Sequence, residues 1–222
     1  MDWFPVFLSL RVAFFSMLLV LITGVPLAWL LARSSIPGRD LLSSLVTLPM
    51  VLPPTVLGYY LLLLLGRQSP LGSFLQEHYG FSLVFTWQAA VLAAAVASLP
   101  LMTRTVQASL EAVDSELEDV ARTLGRSETA IFFTVTVPLT WKGIVAGLVL
   151  SFARSMGEFG ATLMVAGNIP GKTQTLSIAI YDAVQHGETG FANLLVLLIS
   201  GITVVALLLL SRLTKRGDRL DA

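Results

Sequence analysis

Two opposite charges stand alone in an otherwise apolar stretch of the chain. Arg154 and Glu158 are the only charged residues between Gly143 and Val165. Four residues apart, they can meet on one face of a helix. Because a lone charge at the centre of a bilayer costs about 2.5–3.5 kcal/mol, neither should face lipid. Two roles remain open: a structural ion pair that locks two helices or two subunits together, or a place beside a membrane pathway where Arg154 attracts an anion.

Prolines and glycines mark the other candidate pathway or gate residues. Pro49, Pro53 and Pro54 lie in one apolar run, where each removes a backbone donor and disturbs a helix. Such breaks at membrane depth are tolerated where protein or a water-filled cavity satisfies the freed carbonyls. Gly157 and Gly160 leave room for close helix approach beside the charged pair. A simple kink that aids packing is the alternative interpretation of the prolines.

Residues for other kinds of chemistry are not found in the sequence. The chain has no cysteine, and neither His78 nor His186 has a partner at metal-ligand spacing. The stretch from Gly167 to Thr173 superficially resembles a phosphate loop, but it has three residues between its glycines where that motif needs four. We therefore expect no catalytic site, no metal site and no nucleic-acid partner.

The composition places these residues in a membrane. Hydrophobic residues make up 55% of the chain, charged residues make up 13%, and the mean hydropathy is +0.80, far from a soluble domain. A helix needs about 20 apolar residues to cross the bilayer core. Five predicted spans meet this length, at 12–32, 41–66, 78–103, 142–165 and 189–211. The sequence thus predicts an all-α polytopic membrane protein with five transmembrane helices in a single domain, 1–222.

The distribution of Lys and Arg predicts the orientation of the spans. Five spans put the two termini on opposite sides, and cytoplasmic segments carry an excess of basic residues. With the C-terminus inside, the cytoplasmic side collects ten of them: Arg33, Arg39, Arg104, Arg122, Arg126, Lys142, Arg212, Lys215, Arg216 and Arg219. The outer side keeps Arg67 and Lys172. We therefore predict the N-terminus outside and the C-terminus inside.

A short acidic amphipathic helix follows the third span on the predicted cytoplasmic side. Its apolar positions recur at the spacing that lines up one helix face: Leu117, Val120, Ala121 and Leu124. Ser115 and Glu118 predict a capping box at its start. Glu118 and Arg122 have the spacing of an ion pair within the helix, and Gly125 predicts its end.

The apolar stripe of this helix needs a partner, because a helix of about ten residues is marginal alone in water. Helices on the anionic cytoplasmic leaflet usually carry Lys and Arg. Between Glu111 and Glu128 this segment has six acids and two arginines, which favours a protein groove over lipid. Packing of the stripe beneath the chain's own bundle remains the alternative.

The run from Asp119 to Pro138 resembles the cytoplasmic loop of binding-protein-dependent ABC importer permeases. The pattern of that family is Glu-Ala-Ala, three residues, Gly, nine residues, Ile, one residue, Leu-Pro. The matching positions are Asp119, Val120, Ala121, Gly125, Val135, Val137 and Pro138. The resemblance implies that the loop at about 111–140 contains a coupling helix that seats in a cleft of an ATPase subunit. The residues expected to couple the two subunits are Leu117, Glu118, Asp119, Val120, Ala121, Arg122, Leu124, Gly125 and Pro138.

Two further stretches, Ile36 to Leu62 and Phe152 to Thr175, are similar to the molybdate permease branch of this family, with sulfate and tungstate permeases as close relatives. The resemblance implies a type I importer permease fold over about residues 8–212 and molybdate import by alternating access. It implies no cofactor bound by this chain and no enzyme activity of its own, since ATP with Mg²⁺ would bind the partner ATPase.

The same resemblance implies the assembly and the location. Five spans without an inverted repeat make only half of an alternating-access transporter, and the expected second half is another copy, giving a homodimer. Two cytoplasmic ATPase subunits and an extracytoplasmic molybdate-binding protein complete the expected complex. Its place is the plasma membrane of a prokaryote, which is the inner membrane if the envelope has two.

Two alternatives remain for the function. The cargo of the same transporter class could be sulfate, thiosulfate or tungstate. An ion-coupled secondary transporter or a channel would need several intramembrane acids, and only Glu158 is available within the predicted spans.

Overall fold

The computed structural model describes residues 3–33 and 37–218, with side chains described as far as Arg212. Within these residues the chain is helical and contains no strand. The elements are α1 (Phe4–Arg33), α2 (Arg39–Val51), α3 (Pro54–Leu65), α4 (Pro70–Tyr79), α5 (Trp87–Glu111), α6 (Glu116–Thr123), α7 (Glu128–Ile131), a π-helical segment (Phe132–Thr136), α8 (Val137–Met156), α9 (Gly160–Ala166), α10 (Leu176–Gln185) and α11 (Thr189–Asp218). Of the basic residues predicted to be cytoplasmic, Arg219 lies outside the described residues, as do the side chains of Lys215 and Arg216.

Four helices in the described part of the chain are long and apolar enough to cross a membrane. They are α1, α5, the continuous helix Glu128–Met156 that joins α7, the π segment and α8, and α11 as far as Arg212. A fifth crossing is present if α2 and α3 together form one. The all-helical class is confirmed, and the number of crossings is four or five.

The predicted span 41–66 is not one straight helix. Its two halves, α2 and α3, meet at an angle of 115°. Leu52 and Pro53 adopt extended backbone with ψ near 140°, because a proline removes a backbone donor and forces the residue before it out of the helical region. Pro49, predicted to disturb the helix as well, lies inside the continuous α2.

The predicted span 78–103 begins too early. Gly80 ends α4 in the left-handed conformation, with φ +61°, and α5 starts only at Trp87. The hydroxyl of Thr86 accepts a hydrogen bond from the Ala89 N–H at 3.3 Å, which caps the start of α5. The apolar residues between the two helices form a connecting segment.

The predicted span 142–165 begins and ends too late. The helix that contains α8 begins at Glu128, ends at Met156 and resumes as the short α9 only at Gly160. Glu158 therefore lies between two helices, and the prediction that it shares one helix face with Arg154 is wrong.

Small residues at helix crossings hold the bundle together. Alanines line α5, and Ala89, Ala90, Ala93 and Ala94 are fully buried against α1, α3 and α9. Near the middle of α5, Met102 fills the space left by Gly24 of α1 and Gly147 of α8. A Cβ on these two glycines would lie 3.0 Å from Met102 Cγ and 2.5 Å from its Sδ. Three helices can therefore cross at one point only because two of them lack a side chain there.

Candidate functional site

The start of α6 is formed by Asp114. Its Oδ1 accepts a hydrogen bond from the Glu116 N–H at 3.0 Å, whereas Ser115 is helical and makes no side-chain cap. The predicted capping box of Ser115 and Glu118 is therefore wrong. Glu118 is not available for it, because its side chain points into the protein.

The end of α6 is formed by Gly125, as predicted. Its φ of +77° lies in the left-handed region that only glycine adopts without cost. The Gly125 N–H donates to Arg122 O at 2.9 Å, and the Arg126 N–H donates to Ala121 O at 3.2 Å. This pair of bonds is the Schellman motif, which satisfies the last carbonyls of a helix.

The apolar stripe of α6 faces away from the chain's own bundle. Leu117 is 49% exposed, Val120 57% and Leu124 77%, and Ala121 is partly exposed. The alternative that the stripe packs beneath its own bundle is thus excluded for the three larger side chains. We call these four residues the α6 stripe.

The opposite side of α6 is fastened to the bundle by a carboxylate. Glu118, only 3% exposed, is the one buried residue of α6. Its Oε2 lies 3.4 Å from Arg33 Nε, and its Oε1 accepts a hydrogen bond from the Thr136 hydroxyl at 2.9 Å. Arg33 ends α1, and Thr136 ends the π segment. Glu118 therefore joins three elements at one point.

Arg122 joins α6 to the helix that follows. Its Nε lies 2.6 Å from Glu128 Oε1 and its Nη2 lies 3.1 Å from Glu128 Oε2, a bidentate pair, and its Nη1 contacts Asp119. Hydrogen bonds to Glu128 and then to Asp119 raise the pKa of Arg122 above its usual range. The predicted partner, Glu118, is more distant at 3.9 Å.

Pro138, the last residue of the family pattern, lies in the first turn of α8 directly after the π segment. A proline has no N–H for the carbonyl four residues earlier, which favours the wider helix found at Phe132–Thr136. The widened turn carries Thr136, the partner of Glu118.

The two helix breaks in the membrane meet each other. A Cβ on Gly160, at the start of α9, would lie 2.8 Å from Pro54 Cβ at the start of α3. One turn further along α3, a Cβ on Gly58 would lie 2.9 Å from Ala161 Cα. The predicted gate candidates Pro54 and Gly160 are thus in contact, with Pro53 adjacent, whereas Pro49 lies apart within α2 and Gly157 is exposed at the end of α8.

Glu158 binds on both sides of the second break. Its Oε2 lies 2.7 Å from Arg154 Nη1, and its Oε1 accepts a hydrogen bond from the Ala161 N–H at 2.9 Å. The buried carboxylate thereby satisfies a free donor at the start of α9. Arg154 and Glu158 are in contact as predicted, but Glu158 lies in the segment between α8 and α9 and not on the same helix as Arg154.

Three residues that make long-range polar contacts were not among the predicted site residues. Arg33 and Thr136 hold Glu118, and Ser9 of α1 accepts a hydrogen bond from the Leu176 N–H at the start of α10 at 2.7 Å. Each pair is more than fifteen residues apart in sequence, so local spacing carries no signal for it. In the described residues no cluster of His, Asp and Glu could hold a metal ion.

Comparison with known proteins identifies the family. Residues 24–219 match the model of the binding-protein-dependent transport system inner membrane component family. The chain belongs to this family. Its members are transmembrane components of transport systems, so the predictions of a permease subunit and of a membrane protein are confirmed.

The similar sequences confirm the resemblance to molybdate permeases. The chain is 47% identical to the molybdenum transport system permease protein ModB of Escherichia coli K12, over 94% of this chain and 91% of that protein. It is 45% identical to ModB of Haemophilus influenzae, over 96% and 93% of the two chains. Identity to the sulfate transport system permease protein CysW of Synechococcus elongatus is 35%, over 96% and 74%.

Solved structures share the fold at low sequence identity. The MetNI methionine ABC transporter in an inward-facing conformation matches with a TM-score of 0.69 and 18% identity, over 96% of this chain and 94% of that chain. A bacterial ABC transporter that imports alginate matches with a TM-score of 0.74 and 13% identity, over 96% and 78%. The ABC importer permease fold predicted from the sequence is therefore confirmed.

Proposed function

We propose that this chain is the permease subunit of an ATP-driven importer that moves molybdate across the plasma membrane of a prokaryote by alternating access. The observation that carries the proposal is the exposed α6 stripe, an apolar face on a short helix that the described part of the chain leaves uncovered. The identity of 47% to a molybdenum transport permease supports the cargo.

The α6 stripe is the proposed contact with the ATPase. Asp119, Arg122 and Glu128 form a charged rim beside it, and an apolar centre with a polar rim is the usual arrangement of a protein interface. Gly125 ends the helix and leaves Leu124 at its exposed tip. ATP and Mg²⁺ bind the partner in this proposal, and this chain binds no cofactor.

The orientation in the proposal puts the N-terminus outside and α6 in the cytoplasm. Support comes from two basic residues: Arg33 at the end of α1 contacts Glu118 of α6, and Arg104, in the last two turns of α5, donates to Thr47 and Ser43 of α2 at 2.6 and 2.8 Å. Clustering of basic residues at one end of a bundle is typical of the cytoplasmic side.

The proposed complex contains two copies of this chain, two ATPase subunits and an extracytoplasmic molybdate-binding protein. Four or five crossings in one chain support the need for a second copy. Among the similar structures, an alginate importer is in complex with its periplasmic protein bound to an alginate pentasaccharide, and we propose the same kind of partner here.

The gate of the proposed pathway lies where the two helix breaks meet. Pro53, Pro54 and Gly160 bring the starts of α3 and α9 together, and the pair of Arg154 and Glu158 lies beside them. Broken helices are the elements that bend in many transporters. In this arrangement Glu158 neutralises most of the charge of Arg154, so that a passing anion is attracted only weakly.

Association with the ATPase tests the proposal. The full chain is copurified with the ATPase encoded beside it, and Leu124→Asp is compared with Thr123→Asp, which adds the same charge about 100° round the helix and off the stripe. Burying an unpaired carboxylate should weaken association at least about 100-fold for Leu124→Asp alone. Equal association of the two variants would refute the assignment of the stripe.

Uptake into proteoliposomes tests the cargo. Labelled molybdate should accumulate only with ATP, the ATPase and the binding protein present. Sulfate in large excess should leave this uptake unchanged, and competition by sulfate equal to that of unlabelled molybdate would favour the sulfate alternative instead.

A further inference from the structure

Glu118 inverts the usual pattern of an amphipathic helix. In α6 the apolar residues Leu117, Val120 and Leu124 are exposed, and the buried residue is a carboxylate. No apolar side chain of α6 is therefore fully buried against the bundle. The ion pairs and side-chain hydrogen bonds that attach α6 to other helices are made by Glu118 and Arg122, and those of Glu118 are buried.

The Glu118 carboxylate binds groups on two different spans. Arg33 is the last residue of α1, and Thr136 begins the turn into α8. Arg33 Nη2 also donates to Val113 O at 3.1 Å, so the guanidinium ties the segment between α5 and α6 to the same point. The Arg33 Nε–H is not aligned for a hydrogen bond, and its contact with Glu118 is one of charge.

We infer that Glu118 is a positioning residue that transmits the displacement of the coupling helix to α1 and α8, rather than a contact of the ATPase. When the ATPase displaces the α6 stripe, the displacement reaches the membrane helices through the most rigid contact between α6 and the bundle. That connection is the Glu118 side chain, held by an opposite charge on one span and a hydroxyl on another. The exposed contacts of Arg122 lead through Glu128 to the continuous helix Glu128–Met156, whereas the Glu118 carboxylate also reaches α1 through Arg33.

The inference rests on the proposed function and predicts a separation of two quantities. Association with the ATPase depends on the stripe, while molybdate transported per ATP hydrolysed depends on Glu118. A variant that loosens Glu118 should still bind the ATPase and hydrolyse ATP but should transport little. A residue with a merely structural role would lower both activities together.

The first test replaces the charge. Glu118→Gln keeps an oxygen that can accept the Thr136 hydrogen bond and removes the charge that faces Arg33. In proteoliposomes with the ATPase and the binding protein, we expect molybdate uptake per ATP hydrolysed to fall about tenfold, the factor carried by one buried hydrogen bond or contact to a charged group. Glu116→Gln, an exposed acid two residues earlier in the same helix, is the matched control and should keep the ratio of wild type.

The second test leaves Glu118 in place, in case its variant fails to fold. Thr136→Val removes the hydroxyl at nearly constant shape and should lower the ratio, whereas Thr136→Ser keeps the hydroxyl and should restore it. Spin labels at positions 124 and 30 should show a broader distance distribution in Thr136→Val than in Thr136→Ser.

The outcomes separate this inference from the function on which it rests. If the wild-type chain does not bind the ATPase, the proposed function fails and the inference fails with it. If the ATPase binds, and Glu118→Gln or Thr136→Val keeps the wild-type ratio of transport to hydrolysis, the inference is overturned and the proposed function stands. A reduced ratio for Thr136→Val with rescue by Thr136→Ser supports it.

Discussion

Gly160→Ala tests the contact between the two helix breaks. The added methyl group would lie 2.8 Å from Pro54 Cβ and 3.4 Å from the Pro54 carbonyl carbon and the Thr55 nitrogen. Carbon atoms that are not bonded prefer a separation of about 3.5–4.0 Å, so the starts of α3 and α9 must move apart by about 1 Å. Neither side yields easily, because the obstacles are a proline ring and backbone atoms.

The cost follows from this overlap. Inserting a methyl group into a packed contact destabilises a protein by about 1–3 kcal/mol. For a chain of this size each kcal/mol lowers the melting midpoint by roughly 2–4 °C. We therefore expect the midpoint of the purified permease in detergent to fall by about 2–12 °C, measured by tryptophan fluorescence on heating.

Gly157→Ala is the matched control, since it makes the same change three residues earlier. Its methyl group would meet only the Arg154 and Ala153 carbonyl oxygens, at 3.9 and 4.0 Å, which are ordinary contacts. We expect its midpoint to stay at or above that of wild type. If Gly160→Ala has the same melting midpoint as Gly157→Ala and transports molybdate at the wild-type rate, then α3 and α9 are not in contact as described and the gate assignment fails.

Three further predictions concern single contacts. Arg154→Gln leaves the buried Glu158 without its charge partner and should cost about 3 kcal/mol, seen as a lower melting midpoint; normal uptake in an assembled complex would remove Arg154 from the pathway. Gly125→Ala forces a side chain into the left-handed region and should cost about 1 kcal/mol, weakening ATPase association about fivefold in a titration. Gly171→Ala, equally strained at φ +70° in another loop, should leave that association unchanged. Ser9→Ala removes the acceptor for the buried Leu176 N–H and should lower the free energy of unfolding by about 1–3 kcal/mol, measured as a lower melting midpoint, whereas Ser9→Thr should restore part of it.

The sequence predicts features that depend on local composition. The apolar runs predict α1 and α11 because length and hydropathy alone decide whether a helix can span a bilayer. The spacing of Leu117, Val120 and Leu124 predicts one helix face, and Gly125 predicts its end, since both depend on residues within two turns.

Features set by distant partners are not readable from the sequence. Glu118 has the spacing of a capping-box residue, but Arg33 lies 85 positions earlier and draws the carboxylate inward. The break after Met156 is equally hidden, because Gly157 to Gly160 look like part of an apolar run. In the structure Glu158 supplies the hydrogen bond that makes this break stable.

The effect of the prolines on α2 and α3 is predicted only in part from the sequence. Pro49, Pro53 and Pro54 all predict a disturbance, and two of them produce a bend of 115°. Pro49 does not, since it lies inside the continuous α2, as Pro26 does inside α1. Sequence alone therefore predicts the region of the break and not its angle.

The contrast between α5 and α11 determines how freely the two helices can vary. In the most apolar window of α5, 67% of the residues are buried, against 6% in α11. A larger side chain on α5 would collide with three neighbouring helices, whereas most positions of α11 face away from the bundle, apart from buried ones such as Ala192 and Leu195. Random mutagenesis should thus find the buried alanines of α5 restricted to alanine, glycine and serine, while the exposed positions of α11 accept any apolar residue.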